Sequence, residues 1–87
     1  MVNVILNCEQ LVEREPAHAY LARMLNFPAY YGKNLDALYD CLTELSDRTV
    51  VLINASAVPQ GSYGARILKT LEDAAKANSK LGLERLS

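Results

Sequence analysis

Thr49-Val50-Val51-Leu52-Ile53-Asn54 decides the fold of this chain. Its apolar, mostly β-branched centre lies between polar ends, which reads as a strand. Upstream of it, Asn34 reads as the N-cap of a helix, with Asp36 in the first turn where the macrodipole favours negative charge. Leu35, Leu38, Leu42 and Leu45 share one face of that helix, which is expected to end between Thr43 and Ser46. Downstream, Ser56 to Gly61 is expected to hold a short helical turn around Pro59. Gly64 to about Lys80 follows as an amphipathic helix with Ile67, Leu68, Leu71, Ala74 and Ala75 on its stripe. Leu81 to Leu86 then closes the chain as an edge strand.

The N-terminal third supplies the remaining elements. Val2-Asn3-Val4-Ile5-Leu6, ending at Asn7, reads as a buried strand. A polar connection leads to Pro16, which suits the first turn of a helix because its missing N–H has no partner there anyway. Ala19, Leu21, Ala22 and Leu25, with Tyr20 and Met24, carry that helix to about Asn26, and Phe27-Pro28 stops it. The order β, α, α, β, α, β predicts a single α/β domain over residues 1–87, with a three-stranded parallel sheet packed by three to four helices.

Composition excludes several classes. The chain has 87 residues, one domain's worth, and about half of them are hydrophobic (51%), so it is globular and not disordered. The formal net charge is −1, and the nine Lys and Arg are scattered, so direct nucleic-acid binding is not expected. Only Cys8 and Cys41 are present, too few cross-links for a small secreted fold. Met1 to Asn7 is too short for a signal-peptide core, and no stretch approaches the roughly 20 apolar residues that span a bilayer. A reduced cytoplasmic protein, monomeric when free, is the expectation.

Chemistry concentrates around residues 30–44. Asp36, Asp40 and Glu44 fall four apart on one helix face, although like charges at that spacing cost about 0.2–0.5 kcal/mol per pair. Glu44 also sits at the helix C-terminal end, where negative charge is unfavourable. A solvated acidic face is the ordinary explanation. Tyr30, Tyr31 and Tyr39 beside the carboxylates, with Gly32 allowing close backbone approach, point instead to a surface that receives arginines.

The run from Phe27 to Thr43, Phe-Pro-Ala-Tyr-Tyr-Gly-Lys-Asn-Leu-Asp-Ala-Leu-Tyr-Asp-Cys-Leu-Thr, closely resembles the core motif of the barstar family, intracellular inhibitors of the ribonuclease barnase. The resemblance extends over nearly the whole chain, including the opening strand that ends in Asn and the Glu9-Gln10 after it. It implies a plug for a ribonuclease active site in a one-to-one complex, with no cofactor, metal or catalytic residue of its own. By motif position, Asp40 would stand in for substrate phosphate and meet the enzyme's catalytic arginines and histidine. Asp36 would pair with a further basic residue, Thr43 would add a hydrogen bond, and Tyr30 would pack on the catalytic histidine. Tyr31 belongs to the same loop; Gly32 and Asn34 would supply close contacts, and Leu35 and Tyr39 interface area, with Tyr39 where the family's prototype has tryptophan. Glu44 and Leu45 depart from the family's Gly-Trp and alter the rim. Asp73 matches an interface glutamate, whereas Ala77 replaces a second acidic residue. A near-neutral chain implies weaker electrostatic steering than an acidic family member has.

The other reactive side chains read more plainly. His18, the only histidine, is expected at the surface or partly packed. Cys41 is expected to be a buried structural thiol and Cys8 to be exposed after the first strand. Gly61 and Gly64 around Ser62-Tyr63 lack the lysine and spacing of a phosphate loop and read as a turn. Two alternatives stay open: a barstar-like module binding another basic protein without nuclease inhibition, and a small hydrolase using Asp36 and Asp40 as a metal or acid–base pair.

Overall fold

The structure, a computed structural model, describes residues 2–86; Met1 and Ser87, the two ends of the domain expected over 1–87, lie outside the described residues. Strand β1 (Val2–Asn7) leads through a 3-10 turn (Cys8–Leu11) into helix α1 (Arg14–Met24). Helix α2 (Leu35–Thr43) and strand β2 (Arg48–Ile53) follow. A second 3-10 turn (Ala55–Ala57), helix α3 (Tyr63–Ala77) and strand β3 (Leu81–Arg85) complete the chain. The sheet runs β1-β2-β3, parallel throughout, as the alternation of elements predicts.

Register explains which side of the sheet is covered. Val4 pairs with Val50 and Leu6 with Leu52 across β1 and β2, and all four are buried. Their neighbours point the other way: Ile5 is 55% exposed and Val51 half-buried. The expectation that Val2–Leu6 is a buried strand is therefore corrected. Side chains alternate across a strand, and the helices cover one face only. The open face carries Asn3, Ile5 and Glu84, all exposed, on strands whose other face is core.

The helices are set by local capping as well as by their stripes. Asn34 Oδ1 accepts from Ala37 N–H at 2.7 Å and opens α2, while Ser62 Oγ accepts from Ala65 N–H at 3.2 Å and opens α3. Each such cap contributes about 1 kcal/mol. Leu38 and Leu42 of α2 are fully buried, with Leu35 and Leu45 packed at the margin. Helix α3 buries Ile67, Leu68, Leu71 and Ala74. It stops at Ala77, short of the expected Lys80, because Asn78 is used elsewhere. The Asn78 amide donates to Leu42 O at 3.1 Å and Leu45 O at 2.8 Å, adding to the backbone bonds that close the carbonyl end of α2.

Three further expectations need correction. The segment after β1 is a 3-10 turn, not a plain polar connection, and it buries both Cys8 and Leu11. Cys8 is therefore a core thiol, not an exposed one. The buried face of α1 is Ala17, His18, Leu21 and the following Leu25; Ala19 is exposed and Met24 is 37% exposed. Gly64 has a packing reason: a Cβ there would lie 2.5 Å from the Leu11 carbonyl oxygen, so only glycine lets α3 approach the turn this closely.

Candidate functional site

The loop 27–34 and the outer face of α2 enclose a cleft of about 430 Å³. Phe27, Tyr30 and Tyr31 supply its aromatic lining, Gly32 its backbone, and Asp40 and Glu44 its carboxylates. Two consecutive tyrosines take opposite directions. Tyr30 projects outward at 86% exposure, while Tyr31 is 7% exposed, its ring centroid 4.9 Å from that of Phe27. The Tyr31 hydroxyl lies 2.7 Å from His18 Nδ1, and burial pushes its pKa well up, with smaller contributions from Cys41 and Tyr63. Tyr31 thus underlies the cleft and Tyr30 overhangs it.

The other candidate residues divide by position. Asp36, Asp40 and Glu44 are exposed, and none forms an ion pair among the described residues. Tyr39 is 37% exposed on the same helix and Leu35 is half-buried. Asn34 and Gly32 act on each other, the Asn34 amide donating to Gly32 O at 3.3 Å. Thr43 Oγ donates to the Asp40 backbone carbonyl at 2.9 Å, a bond internal to α2. Asp73 stands on α3, paired with Lys69 at 3.1 Å, and does not line the cleft. The cleft therefore gathers Tyr30, Tyr31, Gly32, Asp40 and Glu44, with Asp36 and Asp73 outside it.

Cys41, expected to be buried, is half-buried and borders the cleft. Its pKa is raised, first by burial and then by Glu44 and Asp40, so the thiol stays protonated at neutral pH. His18 departs furthest from expectation. It is fully buried, its Nε2 2.7 Å from the Tyr63 hydroxyl, so both ring nitrogens are satisfied inside the core. Phe27 was legible only as a helix terminator, and nothing in the spacing of His18, Tyr31 and Tyr63 announces their association. Among the described residues, no group of three or more His, Cys, Asp or Glu is placed to hold a metal ion. No helix among them is long and apolar enough to cross a membrane.

Fold and site together define a small α/β domain with helices on one face of a parallel sheet, offering a carboxylate-bearing helix beside an aromatic-lined cleft. The chain belongs to the barstar family: the family described as Barstar (barnase inhibitor) matches residues 1–84. It is similar to the "Putative ribonuclease inhibitor YrdF" of Bacillus subtilis (strain 168), 36% identical over 78 residues that span 85% of this chain and 86% of the relative.

Proposed function

We propose that this protein inhibits a barnase-like ribonuclease by seating the outer face of α2 and the loop before it in the enzyme's active site. It works as an immunity protein inside the cell that makes the enzyme and forms a one-to-one complex. Family membership and the inhibitor-named relative support the ribonuclease as the partner. The observation that carries the reading is the pairing of an open aromatic cleft with Asp40 and Glu44, carboxylates that have no cation of their own among the described residues.

The physics of the two surfaces is complementary. A ribonuclease cleft concentrates positive charge and hydrogen-bond donors to stabilise a phosphoryl transition state. Exposed carboxylates fixed on a capped helix meet that charge with little reordering, since α2 is closed by Asn34 at one end and Asn78 at the other. Asp40 takes the place of the substrate phosphate, Asp36 reaches a neighbouring cation, and Tyr30 covers an aromatic or imidazole ring of the enzyme. Tyr39, Leu35, Thr43 and Glu44 contribute the surrounding contact, with Asp73 at its margin. With formal net charge −1, attraction comes from this local face and not from the whole molecule.

The test is titration of a barnase-type ribonuclease on a fluorogenic RNA, with wild type and Asp40→Ala in parallel. Removing one partner of a buried, hydrogen-bonded charge pair costs about 2–5 kcal/mol, a range the barnase–barstar pair itself helps to define. The Kd should therefore rise roughly 30- to 5,000-fold while folding is unchanged. Stoichiometric inhibition by Asp40→Ala equal to wild type would remove that residue from the mechanism. A wild-type protein that leaves the enzyme active would favour a non-nuclease partner.

A further inference from the structure

His18 is the one charged or polar residue fully buried among the described residues, and it joins three parts of the fold. It projects from α1, with Nδ1 2.7 Å from the hydroxyl of Tyr31 in the cleft loop and Nε2 2.7 Å from the hydroxyl of Tyr63 at the start of α3. Neither hydroxyl has a second hydrogen-bond partner among the described residues. We propose that His18 is a positioning residue for the partner-binding loop: as a neutral imidazole it ties Tyr31 to α1 and α3 with every polar group matched, and protonation unbalances that network and weakens the tie. The inference rests on the proposed function for its biological meaning, not for its geometry.

The loop has few other restraints. Tyr31 N–H donates to Pro28 O at 3.0 Å, the Asn34 amide reaches Gly32 O at 3.3 Å, and the Tyr31 ring leans on Phe27. Phe27 N–H donates to Ala22 O of α1 at 2.9 Å, and the Tyr31–His18 bond is the contact that carries the loop on, through Tyr63, to α3. Because Tyr30 and Gly32 flank Tyr31 directly, freeing the Tyr31 ring moves both residues that face the cleft.

Proton accounting supplies the switch. A neutral imidazole has one N–H and one bare nitrogen, so one tyrosine donates to the ring and the other accepts from it. An imidazolium donates at both nitrogens. The tyrosine that had donated must then turn its oxygen to accept from the ring, and its own hydroxyl proton is left without an acceptor in the core, which is costly. The surroundings oppose the cation as well. Burial lowers the His18 pKa, and Arg14, whose guanidinium lies 5.6 Å from the Tyr63 ring centre, lowers it further. The groups facing the ring are Arg14 from α1, Tyr31 from the loop and Tyr63 from α3, with Cys41 of α2 behind Tyr31. No carboxylate pairs with the imidazole among the described residues.

The experiment is native-state amide exchange by NMR on the free protein, for wild type, Tyr31→Phe and His18→Gln, under conditions where all three are folded. Tyr31→Phe keeps the packed ring and deletes only the hydroxyl. His18→Gln retains a donor and an acceptor but does not titrate. In Tyr31→Phe, the residue-31 amide should lose protection at least tenfold, while Val50 and Leu52 in β2 change equally with global stability and no more. On acidification, that protection should fall in wild type and stay flat in His18→Gln. Unchanged protection at residue 31, a uniform loss everywhere, or the same pH profile in wild type and His18→Gln would each overturn the proposal. A parallel inhibition titration separates the two readings. If wild type does not inhibit the ribonuclease, the functional reading fails, and the exchange data still decide the positioning role.

Discussion

Gly64→Ala tests the packing that joins α3 to the first 3-10 turn. The new Cβ would lie 2.5 Å from the Leu11 carbonyl oxygen, 3.0 Å from Val58 Cγ1 and 3.2 Å from the Leu11 carbonyl carbon. Carbon–oxygen contacts settle near about 3.3 Å, so ~0.8 Å of separation must be opened. Val58 can rotate, whereas the Leu11 carbonyl belongs to a turn whose own side chains are buried. Overpacking of this kind costs about 1–3 kcal/mol, and a backbone neighbour places the cost toward the upper end. Alanine recovers up to about 1 kcal/mol of helix propensity over glycine, less near a helix start. The net expectation is a loss of about 2 kcal/mol, equivalent to roughly 8–16 °C in Tm for a domain of this size. Urea titration and thermal melts followed by circular dichroism measure it, with an unchanged m-value showing that the unfolded state is the same. Gly61→Ala is the control: Gly61 has φ +79° and nothing within 4 Å, so it carries only a left-handed backbone cost of about 1–2 kcal/mol. A Gly64→Ala protein as stable as wild type would refute the close-approach reasoning.

Stability should also fall in acid through His18. Its folded-state pKa is lowered from 6.5, so between that folded value and 6.5 the unfolded chain binds the extra proton. The contribution is therefore complete above pH 6.5 and is lost as pH falls toward the folded-state pKa; urea titrations from pH 8 to 5 should show a slope that His18→Gln flattens. Lys33 holds a left-handed backbone, φ 55°, so Lys33→Gly should raise stability by roughly 0.5 kcal/mol, the strain relieved less glycine's larger unfolded entropy; a loss of stability in the same titration would contradict this. Burial raises the Cys8 pKa, with Arg85 opposing, so Cys8 should react with a thiol reagent only as fast as the protein opens, and after the half-buried Cys41. Labelling of Cys8 at the rate of an unfolded peptide would show that the turn is not closed.

The elements that the sequence made legible are those with a period and a cap. Asn34 opens α2 where its side chain and the Leu38–Leu42 stripe placed it, and the strand read at Thr49–Asn54 is observed at Arg48–Ile53. The turn at Cys8–Leu11 spans four residues, too few to show any period, so the burial of Cys8 was invisible. Tyr30 and Tyr31 are identical neighbours in a loop, where no alternation rule assigns an inside and an outside. His18 read as a surface or partly packed residue because its partners lie 13 and 45 residues away, and only the fold brings two hydroxyls to one ring. The apolar run of β1 suggested cover on both faces, yet Ile5 lies on the face that no helix crosses. In the cleft, the motif identified Tyr30, Gly32 and Asp40, whereas Phe27 became a wall only through tertiary packing.

The lining of the cleft comes from one unbroken segment, Asn26 to Leu45, while that segment's inner positions, Leu38 and Leu42, are core. The folding constraint and the recognition constraint therefore fall on alternate residues of the same short stretch. Outward substitutions at exposed sites usually alter stability by no more than about 0.5 kcal/mol. A duplicated gene can thus change its target through point changes at positions such as Tyr39 and Glu44 without passing through an unfolded ancestor. In this arrangement a change of recognised surface need not pass through a loss of fold.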